Sequence, residues 1–128
     1  MKYLLDTHIL IWMMDEYEKL SPKALRILRD DTNLIFFSAV NIWETAIKFG
    51  AGRGDFVVDP HELRSKALYS GFIEMAIMGN HAAAVAMLPP IHQDPFDRLL
   101  IAQSIVEDIT LLTHDKTVAK YPGPIMLV

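Results

Sequence analysis

Five short stretches of this chain are apolar at nearly every position, and segments with helical periodicity lie between them. The runs are residues 2–6 (KYLLD), 34–38 (LIFFS), 73–77 (IEMAI), 109–113 (ITLLT) and 125–128 (IMLV). A strand that is apolar on both sides has both faces covered, which suits a parallel sheet and not a half-solvated antiparallel one. Helix starts are recognisable in the intervening segments. Ser21-Pro22 precedes KALRILRD, Ser38 precedes AVNIWETAIKF, Gly79-Asn80 precedes HAAAVAML, and Asp94-Pro95 precedes FDRLLIAQSIVED. Asp59-Pro60-His61-Glu62 has the N-cap, the Pro at N1 and the Glu at N3 of a capping box. Gly50 and Gly71 read as helix stops. The opening MKYLLDTHILIWMMDE reads as strand, then helix. Such alternation predicts right-handed βαβ crossovers and a single α/β domain over residues 1–128, in three layers (α/β/α) with a central parallel sheet.

Composition narrows the class. With 128 residues the chain has the size of one domain, and its 52% hydrophobic and 22% charged residues are those of a folded, rather apolar one. The apolar excess predicts a face buried in a homodimer. Absence of cysteine excludes disulfides, thiolate metal sites and a Cys nucleophile, and it predicts a reducing compartment, the cytoplasm. Asp6 and His8 interrupt the N-terminal apolar stretch, which argues against a signal peptide, and no run reaches the roughly 18 apolar residues of a membrane span. A net charge of −4 argues against a broad basic nucleic-acid footprint. It does not exclude a nuclease whose bound cations meet the phosphates. Lys48, Arg53, Lys116 and Lys120 are candidates to border such a cleft, with a solvated face the ordinary reading of each.

Two segments invite readings that fail. GAGRGDFVV (50–58) is glycine-rich but matches neither GxxxxGK[ST] nor GxGxxG after a strand, so it is expected to be a loop. Pro89-Pro90 with Ile91-His92-Gln93 reads as a surface linker between helices.

The chemistry lies in the acids. Asp6 closes the first strand, Asp115 follows the fourth, Asp97 lies in the first turn of the helix opened by DPFD, and Glu44 lies in the helix opened by Ser38. Each has an ordinary explanation: a turn for Asp6, an i, i+4 pair with Lys48 for Glu44, the N3 position after an Asp94 cap for Asp97, an Asx turn for Asp115. Open α/β sheets, however, gather residues from the carboxyl ends of their strands into one crevice. Four carboxylates so gathered repel one another until a divalent cation joins them, which predicts a hard-cation site for Mg²⁺ or Mn²⁺. Hydroxyls at Thr7, Ser38 and Thr113 adjoin the acids and are candidates to orient water around the ion. The histidines, His8, His61, His81, His92 and His114, show no HxxxH or HExxH spacing and are expected at the surface or in caps. No GxSxG elbow is present.

LLDTHILIW, SAVNIWETAIKFGAGR and LPPIHQDPFDRLLIAQSIVEDITLLTHD, in that order and spacing, resemble the three acidic blocks of the PIN-domain family, and within it the VapC-type toxins of type II toxin–antitoxin pairs. The resemblance runs essentially end to end. It implies a PIN-like α/β/α fold and a site of Asp6, Glu44, Asp97 and Asp115 holding one or two Mg²⁺ or Mn²⁺ ions, with Ser38 and Thr113 at the family's hydroxyl positions. It also implies metal-dependent endoribonuclease activity on RNA, a homodimer, and inhibition by a small antitoxin that sets a basic side chain among the acids. Asp97, immediately before RLLIA, matches the family's third acid, and Asp94 is assigned to the cap. The competing readings are a PIN-like module that binds RNA or protein without cutting, and a DNA-directed nuclease. A haloacid-dehalogenase phosphatase would need DxDx[TV] where this chain has Asp6-Thr7-His8.

Overall fold

The computed structural model describes residues 1–50 and 58–128. The body of the expected glycine-rich loop, with Arg53, lies outside the described residues. All five apolar runs form strands: β1 (Lys2–Leu5), β2 (Leu34–Ser38), β3 (Ile73–Met75), β4 (Thr110–Thr113) and β5 (Ile125–Leu127). Every pairing is parallel, in the order β3-β2-β1-β4-β5. The α-helices among the described residues are α1 (Thr7–Asp15), α2 (Pro22–Leu28), α3 (Ala39–Gly50), α4 (Pro60–Tyr69), α5 (Gly79–Ala84) and α6 (Pro95–Glu107). None is long and apolar enough to cross a membrane.

Alternation along the strands sorts the core onto two faces. Tyr3 and Leu5 of β1, Ile35 and Phe37 of β2 and Leu112 of β4 point to one side, against Ile9 and Leu10 of α1, Ala24 and Leu28 of α2 and Leu63 and Ala67 of α4. Leu4 and Leu111 point to the other, against Leu100 and Ile101 of α6. The result is the expected three-layer α/β/α arrangement. Ile9 and Ile11 are part of this core, 1% and 6% exposed.

Local chemistry sets the ends. Ser21 Oγ accepts from the Ala24 N–H at 3.1 Å and caps α2. Asp59 accepts from the His61 N–H at 2.8 Å, one position earlier than a capping box places that bond. At the end of α4, Gly71 has φ +86°, the Phe72 N–H reaches Ala67 O at 3.1 Å and the Gly71 N–H reaches Leu68 O at 3.0 Å. That is a Schellman stop, and glycine takes its left-handed φ without the steric penalty of a Cβ.

β4 starts one residue later and β5 ends one residue earlier than the sequence reading, and three further boundaries differ for a local reason. Residue 6 leaves the strand because its carboxylate caps α1. β3 ends at Met75 because its partner Ser38 is the last residue of β2, so no ladder continues to Ile77. The helix expected over HAAAVAML stops at Ala84 and tightens into one 3₁₀ turn, Val85–Met87. Leu88 then becomes extended (φ −77°, ψ 141°), as the residue before Pro89 is driven to be.

The strand order carries the functional consequence. From β1 the chain moves outward through β2 to β3, whereas β4 lies on the other side of β1 and leads on to β5. The crevice beyond the carboxyl ends of β1 and β4 is therefore the place where an open sheet receives a ligand.

Candidate functional site

Asp6 is the first residue past β1, and its Oδ1 accepts the Ile9 N–H at 2.9 Å. Its Oδ2 accepts from the hydroxyl of Thr113, the last residue of β4, at 2.5 Å. The same Thr113 oxygen accepts the Asp115 N–H at 3.0 Å, so one hydroxyl ties the two acids across the crevice. Asp115 does open an Asx turn, its Oδ1 accepting the Thr117 N–H at 2.8 Å. A turn role and a place in the crevice are compatible.

Glu44 is 3% exposed, buried where a solvated i, i+4 pair would be open. Its Oε2 nevertheless accepts from Lys48 Nζ at 2.5 Å, and its Oε1 accepts from the Thr7 hydroxyl. Thr7 in turn accepts from Asn41 Nδ2 at 3.1 Å, and Asn41 also donates to Leu5 O at 3.1 Å while accepting the Ser38 N–H at 2.7 Å. Asn41 thus joins the ends of β1 and β2 to the acid on α3. Ser38 caps α3 through the Val40 N–H at 3.0 Å and reaches the acids through Asn41.

Asp94 caps α6, accepting from Phe96 N–H at 2.9 Å and Asp97 N–H at 3.2 Å. Asp97 is left free to face the crevice, where its Oδ2 lies 2.9 Å from His92 Nε2. Asp6, Glu44, Asp97 and Asp115 all line one cleft of about 260 Å³, together with Thr7 and Asp94. Lys48 lines it as well. Lys116 and Lys120 are not among the described residues that do. A larger hollow of about 470 Å³, which includes Met13, Met14, Lys66 and Tyr69, has no carboxylate or histidine among the described residues of its walls.

Three of the histidines expected at the surface or in caps, His8, His92 and His114, line the acidic cleft, His114 at an exposed position. His114 Nδ1 stands 3.9 Å from Asp6 Oδ2, and its ring packs on Trp12 with centroids 4.5 Å apart. Spacing rules find histidines that share one helix, and these three arrive from a helix, a linker and a strand end. The available signal was proximity in sequence to an acid: His8 to Asp6, His114 to Asp115, His92 to Asp94. His81 is a cap residue as expected but is 1% exposed. Its Nδ1 accepts the Met78 N–H at 3.0 Å and its Nε2 lies 2.7 Å from Glu107.

Burial dominates the electrostatics. It pushes the Asp6 carboxyl above its ordinary range, against the opposing pull of the Thr113 hydroxyl, the Ile9 N–H and the nearby His114 and His8. The Asp97 carboxyl is pushed up to about 7 by burial first, then by Asp94, Glu44 and Asp6, with the His92 bond opposing. A buried acid that holds its proton near neutrality is one whose charge lacks a compensating cation. The donors are oxygen-rich and anionic, and they fit a hard divalent ion.

The PIN domain family profile matches residues 3–124. No curated protein matches the sequence. Among solved structures, VapBC2 from Rickettsia felis bound to a DNA fragment from its promoter has a TM-score of 0.71 at 15% identity, covering 100% of this chain and 99% of that one. A toxin–antitoxin complex from Klebsiella pneumoniae has a TM-score of 0.62 at 20% identity, covering 97% and 95%. VapBC-1 from nontypeable Haemophilus influenzae has a TM-score of 0.62 at 17% identity, covering 99% and 98%. At such identities the likeness is one of fold.

Proposed function

The chain belongs to the PIN-domain family, and on that premise we propose that it is a Mg²⁺- or Mn²⁺-dependent endoribonuclease, the toxin half of a toxin–antitoxin pair. The observation that carries the reading is the convergence of Asp6, Glu44, Asp97 and Asp115, spread over 110 positions of sequence, in one cleft at the switch point of the sheet. Likeness in fold to VapBC complexes adds the toxin class. A non-catalytic module would have no use for an acidic cluster that raises its own carboxyl groups, so retention of all four favours chemistry.

In this reading Asp6, Asp97 and Asp115 hold the ion and Glu44 completes the site. When bound, the divalent ion supplies Lewis acidity toward the phosphate and lowers the pKa of water. The protein's part is positional. Thr113 fixes the orientation of Asp6 and the backbone of Asp115, Thr7 and Asn41 fix Glu44, and Lys48, whose side chain is 23% exposed, adds positive charge where a phosphate would enter. RNA cleavage should vanish in chelator and return with Mg²⁺ or Mn²⁺. A preparation that cuts equally well in chelator would refute the metal role.

The partner follows from the same electrostatics. An anionic cleft without its ion is a preorganised acceptor for a guanidinium. The antitoxin is proposed to set an Arg among the acids of the cleft, displacing the ion and blocking RNA. Co-expression with the neighbouring small protein should suppress toxicity, and changing its basic residue to Ala should weaken binding. A stable complex that leaves cleavage undiminished would defeat pocket capping.

A homodimer is proposed from the exposed apolar side of α3, where Trp43 and Ile47, four residues apart on one face, are 47% and 52% exposed. Light scattering at micromolar concentration should give twice the 14.5 kDa chain mass, and the mass of a single chain would refute it.

A further inference from the structure

Resting on the reading of the cleft as a divalent-ion site, we propose that His92 is itself a ligand of the ion, beside Asp97, and that the site therefore takes Mn²⁺ in preference to Mg²⁺.

Geometry is the first support. Among the described residues, one set of three potential ligand atoms lies within 4.8 Å of one another, and it belongs to His92, Asp94 and Asp97. His92 Nε2 and Asp97 Oδ2 are 2.9 Å apart. Neighbouring donors around an octahedral ion with bonds of about 2.0–2.2 Å stand about 3 Å from each other, so this pair already has the spacing of adjacent ligands. The His92 side chain is 29% exposed and the Asp97 side chain 19%, which leaves the ion a way in.

The second support is how firmly the linker holds His92. Its backbone N–H donates to Tyr121 Oη at 2.7 Å, and its carbonyl accepts from the same hydroxyl at 3.0 Å. Tyr121 is 4% exposed. Arg98 donates to Tyr121 Oη at 3.1 Å and to the Pro89 carbonyl at 2.9 Å. Arg98 immediately follows Asp97, yet its guanidinium is spent on the linker's carbonyls and the tyrosine. Arg98 therefore fixes the loop that presents the imidazole. A backbone held at both its N–H and its carbonyl limits where the imidazole it carries can sit.

The third support is donor chemistry. A purely carboxylate and water site suits Mg²⁺, which demands oxygen ligands and gives up its waters reluctantly. One imidazole nitrogen shifts the balance toward the first-row divalent ions. His114 is the obvious rival, but its nitrogen is 3.9 Å from Asp6 and its ring packs against Trp12 and His8.

Electron spin-echo spectroscopy of the full chain loaded with Mn²⁺ tests the assignment without reference to activity. The wild type should show nitrogen-14 modulation from a directly bound imidazole. His92→Ala should abolish it, and His114→Ala should not. By calorimetry, His92→Ala should weaken Mn²⁺ binding roughly ten- to hundredfold, with Mg²⁺ binding changed less than about threefold. Tyr121→Phe, which frees the linker and keeps the apolar ring, should weaken Mn²⁺ binding to a smaller degree with the modulation intact. Wild type that binds Mn²⁺ without nitrogen modulation, or modulation that survives His92→Ala, overturns the proposal and leaves the ion site standing. Wild type that binds no Mn²⁺ overturns both.

Discussion

Asp97→Asn and Asp6→Asn are each expected to lower metal-dependent RNA cleavage by roughly 10³-fold or more, equivalent to about 4 kcal/mol of transition-state stabilisation. Asn preserves most of what the two carboxylates do structurally. Asp6 caps α1 through the Ile9 N–H, and Asn is as good a cap as Asp. Asp97 faces His92 through one oxygen, which an amide oxygen can replace. What Asn cannot supply is the negative charge that holds the ion. Circular dichroism and melting confirm the fold of each variant before its rate is read. A folded variant that cuts RNA as fast as the parent would show that the cleft is not the catalytic site.

Removing the same carboxylate should stabilise the metal-free protein. The Asp97 carboxyl stands at about 7 in the folded chain against an ordinary 3.8. Between those values the folded protein holds a proton that the unfolded chain has lost, so stability falls as pH rises from about 4 to about 7 and the full penalty persists above. That difference converts to a ceiling of about 4 kcal/mol, and because Asp94, Glu44 and Asp6 share the repulsion, one substitution should recover about 1–3 kcal/mol of it. In chelator at pH 8, Asp97→Asn should melt about 5–10 °C above wild type. At pH 4 the gap should close. Saturating Mn²⁺ should raise the wild type and leave the variant nearly unmoved, so that activity and apo stability move in opposite directions. A variant that melts at or below wild type in chelator at pH 8 would assign Asp97 a structural role.

The fold was legible because its signals are local. Strands apolar on both faces, Ser and Asp caps, a Pro at N1 and a Gly at the end of α4 each announce themselves within a few residues, and the elements formed there. The four acids were legible by position, since parallel strands bring their carboxyl ends together. Asn41 was not. Inside AVNIWETAIKF it looks like a polar residue on a helix face, and its role depends on Leu5 and Thr7, more than 30 residues earlier. His92 was hidden for a related reason. Pro89-Pro90 marks a linker, but the partners that turn that linker into a support, Arg98 and Tyr121, are fixed by the packing of α6 and of the chain after β4.

The bond between Asp6 and Thr113 joins residues 107 apart in the chain. During synthesis at about 5–20 residues per second, Asp6 waits for many seconds before its partner exists. Until β4 slides in beside β1 there is no opposite wall to the crevice, and neither Thr113 nor Asp115 is present to close it. A polypeptide abandoned by the ribosome before residue 110 therefore carries Asp6, Glu44 and Asp97 without a finished cleft. The cleft therefore has no partial form: a chain cut short before β4 holds three of the four acids and lacks the strand that would bring them to the fourth.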